Sequence, residues 1–161
     1  MKFVRQGLLL LALIAAVSFG IRSWHQADGG GRLICDPAQI PEGAICLDDV
    51  FKRFQGQVVW VDARTETEWE KNTIPGALCL NPSADPARWD ELIASAMMPL
   101  MQAGVEGKPI VVFCQSEECG ASKEVAEKLR DPEQYGIPGE IYVLHQGWQA
   151  IQRYPYAQLV D

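Results

Sequence analysis

Histidine is scarce in these 161 residues. There are two, His25 and His145, and the five cysteines contain no two pairs at zinc-ligand spacing with histidines to support them, so no metal site is expected. Positive charge is also in short supply, with 14 lysines and arginines against 21 acids. Setting aside Lys2, Arg5 and Arg22 leaves 11 bases and all 21 acids from residue 25 onward, a formal charge of −10. Phosphate backbones and anionic headgroups would be repelled, which speaks against nucleic acid and anionic lipid as ligands. A solvated acidic surface that keeps a domain soluble is the simpler explanation of the charge. The glycines and prolines follow no period, no segment repeats at roughly 20–50 residues, and no low-complexity tract occurs, which removes solenoids and disordered tails. What remains is a length suited to one ordinary domain with a sizeable core, 48% of it apolar.

No uncharged apolar run reaches the roughly 20 residues that a bilayer span usually takes. The nearest approach is "MKFVRQGLLLLALIAAVSFGIRSW", residues 1–24, where two bases precede an apolar stretch from Leu8 to about Ile21. That is the layout of an export signal. A snorkelling Arg22 and an interfacial Trp24 would extend it into an apolar membrane helix. Ala16 and Ser18 instead offer the small residues a peptidase needs to cut before Phe19. The uncleaved anchor is narrowly preferred. Lys2 and Arg5 then keep the N-terminus in the cytoplasm and turn the rest of the chain toward the periplasm or cell exterior, with secretion after cleavage as the alternative. Residues 25–33, "HQADGGGRL", read as a flexible tether, and residues 34–161 as the folded domain.

Within that domain, strand and helix patterns alternate. "AICL" suggests a short strand, and "DDVFKRFQ" a helix led by acids, with Val50, Phe51 and Phe54 at helical spacing. "QVVWVDAR" suits a strand covered on both faces. "TETEWEKN" is a short acid-led helix, and "IPGALCLN" a turn followed by a strand. "DPARWDELIASAMMPLMQAG" opens a helix near Pro86 and closes it near Gly104. "KPIVVFC" is the clearest buried strand. "GASKEVAEKLRD" is an amphipathic helix with Val125, Ala126 and Leu129 inward, and "EIYVLHQG" and "WQAIQRY" give the last strand and helix. This alternation predicts an α/β fold with a parallel sheet and helices on both faces.

In open α/β sheets, ligands bind beyond the carboxyl ends of the strands. "VVFCQSEECGAS", residues 111–122, puts Cys114 at such an end, with a short loop and a helix start after it. Amides at a helix N-terminus, with roughly half a positive charge from the dipole, favour a thiolate. A cysteine thiol normally titrates near 8.5, and helix N-termini can lower it to roughly 3.5–7.5. The pattern marks Cys114 as a nucleophile in a loop of Gln115, Ser116, Glu117, Glu118, Cys119, Gly120, Ala121 and Ser122.

Three blocks, "VVWVDARTETEWEKNTIPGALCLNP", "PIVVFCQSEECGASKEVAEKL" and "IYVLHQGWQAI", resemble successive parts of a rhodanese-like domain over roughly residues 45–155. The most specific pieces are Val61-Asp62-Ala63-Arg64, Ile74-Pro75-Gly76-Ala77 and the cysteine loop, and Gly147-Trp148 is a weaker one. The resemblance implies a five-stranded parallel sheet and a persulfide on Cys114 during sulfur transfer. The chain departs from the family at Asn72-Thr73, where many members have glycine-histidine. It departs again in the loop, which carries Glu117 and Cys119 where members often have glycine and arginine. An acidic loop puts thiosulfate in doubt as the donor. Phosphatases of this architecture need an arginine six positions after the cysteine, and that position is Gly120.

Cys119 is read either as a thiol that resolves an oxidised or persulfidated Cys114 or as a small residue packed under the helix, the latter being preferred. Cys35 and Cys46, flanking a proline-bearing excursion, are expected to form a disulfide in an oxidising compartment. Cys79 reads as a free core residue. Asp62 and Arg64 support the site's strand end, more simply as an ion pair than as active-loop charges. His145, near the end of the last strand, is a weak candidate for a proton carrier. Trp60, Trp69, Trp89 and Trp148 are assigned to the core or its rim, and Met97, Met98 and Met101 to packing. The function expected is sulfur transfer from a small sulfane donor to a thiol acceptor, small or protein-borne, without cofactor. A non-catalytic binding module and a dithiol redox protein using Cys114 and Cys119 are the alternatives.

Overall fold

Five short strands form one parallel sheet in the computed structural model, which describes residues 35–154. The expectations for residues 1–24 and 25–33 lie outside these. In chain order the elements are β1 (Ala44–Ile45), α1 (Leu47–Phe54), β2 (Val59–Asp62), α2 (Glu66–Lys71), β3 (Leu78–Cys79), α3 (Pro86–Glu106), β4 (Ile110–Phe113), α4 (Ala121–Arg130), β5 (Ile141–Leu144) and α5 (Gly147–Gln152). The spatial order is β1-β5-β4-β2-β3, and every neighbouring pair is parallel. Because β4 lies in the middle, Val59 to Asp62 pair with Ile110 to Phe113 on one side, and Ile110 to Val112 pair with Ile141 to Val143 on the other.

All four residues of β4 are buried, as a strand covered on both faces requires. Successive side chains point to opposite faces, and two cores result. Val61, Ile110 and Val112 face Leu92, Ile93, Ala96 and Leu100 of α3 and Val125, Ala126 and Leu129 of α4. Trp60, Val111 and Phe113 face Leu47 and Val50 of α1 and Trp148 and Ile151 of α5. Each fully buried branched or aromatic side chain is worth roughly 1.5–3 kcal/mol over leaving it in water.

Local signals start and stop the helices. Asp48 and Asp49 open α1, and Lys52 and Arg53 close it, each sign matching the helix dipole. Thr65 and Glu68 form a reciprocal capping box at α2. Asp85 accepts a hydrogen bond from the Arg88 amide at the start of α3, where Pro86 stands. That helix runs two residues past its expected end and stops at Gly107, which takes the left-handed conformation with φ 68°. Gly104 has a different reason to be glycine: a methyl group there would collide with the Pro138 carbonyl.

The methionines depart from expectation. Met97 packs partly against the core, but Met98 is 76% exposed and Met101 is exposed too, as is Val105 further along the same helix. The tryptophans are at the core or its rim, with Trp60, Trp89 and Trp148 buried and Trp69 packed at the edge. Strands β1 and β3 keep only two residues each, because the chain turns into α1 at Cys46 and leaves the sheet after Cys79. Cys35 and Cys46 are joined by a disulfide with Cα atoms 5.7 Å apart.

Candidate functional site

A parallel sheet sends the carboxyl ends of its strands to one edge, so Arg64, Cys114 and His145 all follow strands that end there. Cys114 stands in the middle because β4 does. Its backbone is held from two sides. The Ala63 amide donates to the carbonyl of Phe113 at 2.8 Å, and the Trp148 amide donates to the carbonyl of Cys114 at 2.7 Å. Gly147 makes the second contact attainable. It sits at φ 53°, and a Cβ there would run into the Cys114 carbonyl oxygen.

Trp148 links this clamp to the Asp62–Arg64 pair. The indole stacks on Phe113 with ring centroids 5.8 Å apart, and the Arg64 guanidinium lies 4.1 Å from the Trp148 centroid. Arg64 Nη2 donates to an Asp62 carboxylate oxygen at 2.6 Å and to the Asn72 carbonyl at 2.6 Å. Asp62 also accepts from the Arg64 amide at 3.0 Å and from the Thr73 hydroxyl at 2.8 Å. Both members of the pair are buried. Arg64 thus directs Nε and Nη2 inside the protein, and Asn72-Thr73, the departure noted before Ile74-Pro75, supplies an acceptor and a donor to the same network.

The loop after Cys114 turns back on itself. The Cys119 amide donates to the Ser116 carbonyl at 3.2 Å, Gly120 caps α4, and the sulfurs of Cys114 and Cys119 are joined with their Cα atoms 6.2 Å apart. Incidental packing, the preferred expectation for Cys119, is not what this geometry gives. The two cysteines differ in access. Cys114 is only 2% exposed, whereas Cys119 is partly exposed and lines a cavity of about 300 Å³. That cavity also takes in Ser116, Glu117, Glu118, Gly120, Ser122 and, from the end of β5, His145. Gln115 is exposed and Ala121 half-buried at the loop's two ends, while the Ser122 side chain is buried.

Glu117 and Glu118 are exposed at the rim. His145 Nδ1 lies 3.5 Å from the Glu117 carboxylate, a contact that becomes an ion pair when the imidazole is protonated. Lys123 and Arg130 also border the cavity; Arg130 donates to the Ile141 carbonyl. Cys79 stays apart from all this as a free, buried thiol, pushed up to about 11 by burial and then by the carboxylates of Asp62 and Glu66. Among the described residues no cluster of histidine, cysteine and carboxylate could hold a metal ion, and no helix is long and apolar enough to cross a membrane.

The clamp on Cys114 was half visible in the sequence: Gly147-Trp148 after a strand is a signal, but its meaning depends on α5 descending onto β4. The Glu117–His145 contact joins residues far apart in the chain and left no local trace.

A central parallel strand that ends in a buried cysteine, with a short loop and a helix start beyond it, defines an α/β domain of the cysteine-loop kind. The chain matches the rhodanese-like domain family over residues 48–154 and belongs to that family. No curated protein matches it. Among solved structures, one described as the "N-terminal domain of putative ATP/GTP binding protein from Clostridium difficile 630" has 17% sequence identity and a TM-score of 0.41, covering 68% of this chain and 95% of that one.

Proposed function

We propose that the chain passes sulfane sulfur through a persulfide on Cys114 to a thiol or other thiophilic acceptor, small or protein-borne. The observation that carries the reading is the seat of Cys114, at the end of the central strand, pinned through its own carbonyl and followed within one short loop by the first turn of α4. Amides of such a turn have no carbonyl partner within their helix and can hold the negative charge of a thiolate or a persulfide. Family membership supports the general class. The chemistry itself calls for neither an organic cofactor nor a metal. An export anchor in residues 1–24, with the domain facing the periplasm or cell exterior, completes the proposal and rests on the charge asymmetry around Leu8 to Ile21.

A dithiol redox protein is the second reading, favoured by one observation, the joined sulfurs of Cys114 and Cys119. Intact mass after incubation of reduced protein with a sulfane-sulfur donor tests both. Sulfur taken from the donor, whether kept on the chain or released as sulfide, and lost in Cys114→Ser supports transfer, and loss of two hydrogens without any sulfur turnover supports the redox reading. Full sulfur turnover by Cys114→Ser with every donor would refute the assignment of Cys114, and no sulfur uptake by the unaltered chain from any donor would leave a binding module whose acidic loop recognises a partner protein.

A further inference from the structure

The two loop cysteines have unequal access and a common bond. Cys114 is 2% exposed and does not line the cavity, whereas Cys119 is partly exposed and does, and their Cα atoms stand 6.2 Å apart, within the range a disulfide spans. We propose that Cys119 discharges the Cys114 persulfide as hydrosulfide and is the sulfur at which an external dithiol then resets the site. The proposal rests on Cys114 as the sulfur acceptor.

The steps balance. The Cys114 thiolate attacks the sulfane sulfur of the donor, an S–S bond forms on Cys114, and the donor's remainder leaves with its electron pair. Cys119 then attacks Cys114 Sγ, the inner sulfur. Its proton and the displaced outer sulfur depart as hydrosulfide, and the Cys114–Cys119 disulfide closes. The sulfane sulfur has gained two electrons and the two cysteines have lost them. A dithiol attacks the accessible Cys119 sulfur, Cys114 leaves as thiolate, and the second thiol of the dithiol frees Cys119 while forming its own disulfide. The geometry selects the inner sulfur, because the structure bonds Cys119 to Cys114 Sγ itself. Exposed Glu117 and Glu118 at the cavity rim favour departure of an anion. In sequence of reactions, the site consumes the product of a sulfane-forming step and depends on a dithiol-regenerating one.

An arenethiosulfonate separates this from simple sulfur carriage, since its leaving group is a sulfinate with no thiol to contribute electrons. The full chain is reduced, freed of reductant without air, and given one equivalent. The expected result is about one sulfide released per wild-type chain, no retained sulfur and a mass two hydrogens lower. Cys119→Ser and Cys119→Ala should retain one sulfur and release no sulfide, and one equivalent of dithiothreitol should restore wild-type release for a second round. Wild type that keeps the added sulfur and frees no sulfide, as the Cys119 variants do, overturns the proposal and leaves Cys114 as acceptor. Sulfide release undiminished in both Cys119 variants also overturns it, because the electrons then come from thiols other than Cys119. Failure of every protein, the Cys119 variants included, to take up sulfur refutes the acceptor role of Cys114 and the proposal with it.

Discussion

Removing the carboxylate of Asp62 should damage this domain more than removing any charge at its surface. The carboxylate is fully buried and accepts from the Arg64 amide, from Nε and Nη2 of its guanidinium and from the Thr73 hydroxyl. Asp62→Ala leaves the Arg64 guanidinium, on a side chain 2% exposed, with the Asn72 carbonyl and the Trp148 and Phe113 rings as its remaining partners. Breaking a buried pair in this way costs about 3–5 kcal/mol, against a total stability of about 5–15 kcal/mol for a typical domain. At roughly 3–5 °C per kcal/mol for a domain of this size, the midpoint should fall by roughly 10–20 °C. Urea unfolding followed by tryptophan fluorescence measures the loss, provided the slope with denaturant is unchanged. The double variant Asp62→Leu with Arg64→Met removes both charges and should recover most of the stability, because no isolated ion is then left inside. A loss below about 1 kcal/mol in Asp62→Ala, or a double variant as unstable as the single one, would refute the argument that an unpaired buried guanidinium is what costs the energy.

Gly147→Ala should destabilise the domain by at least about 1–3 kcal/mol from its positive φ alone. It should also slow sulfur uptake by Cys114, since the added methyl meets the Cys114 carbonyl, and single-turnover mass spectrometry reads that second effect. Non-reducing peptide mapping should find the Cys35 and Cys46 peptides joined, and Cys79 in native protein alkylated much more slowly than in unfolded protein at neutral pH, as its burial and raised thiol require. Reducing the Cys35–Cys46 bridge should cost roughly 3 kcal/mol by the chain-entropy estimate for a loop of this length. Replacing Glu117 and Glu118 by glutamine should raise thiosulfate turnover, and more at low than at high ionic strength. Turnover unchanged at every ionic strength would show that the acidic rim is no electrostatic filter.

What the sequence disclosed follows the range over which each signal acts. Ile110 to Phe113 could be read as a buried strand because four consecutive apolar residues need two covered faces, and Val125, Ala126 and Leu129 because helical spacing puts them on one side. The end of α3 was misjudged because a glycine has two uses. Gly104 admits the close approach of Pro138, and Gly107 stops the helix, and only the packing separates them. The methionines were misplaced because Met98 and Met101 have the composition of core residues but not its face. Cys114 could be chosen from its strand and loop. Its bond to Cys119 stayed the less favoured of two readings, since closing that loop depends on where α4 begins and on the turn made by Ser116.

The disulfide between Cys35 and Cys46 also decides how the domain meets mechanical load. Any pull on the chain before Cys35 is carried through the sulfur bridge to Cys46, which caps α1 and directly follows β1. Residues 36–45, including the two-residue strand at the sheet's edge, form a slack loop in parallel with that bridge and bear almost none of the tension. With the bridge reduced, the same pull would pass through β1 itself, whose two residues are all that hold it to β5. Reduction would therefore lower the force at which the sheet opens while leaving the resting fold of its central strands untouched.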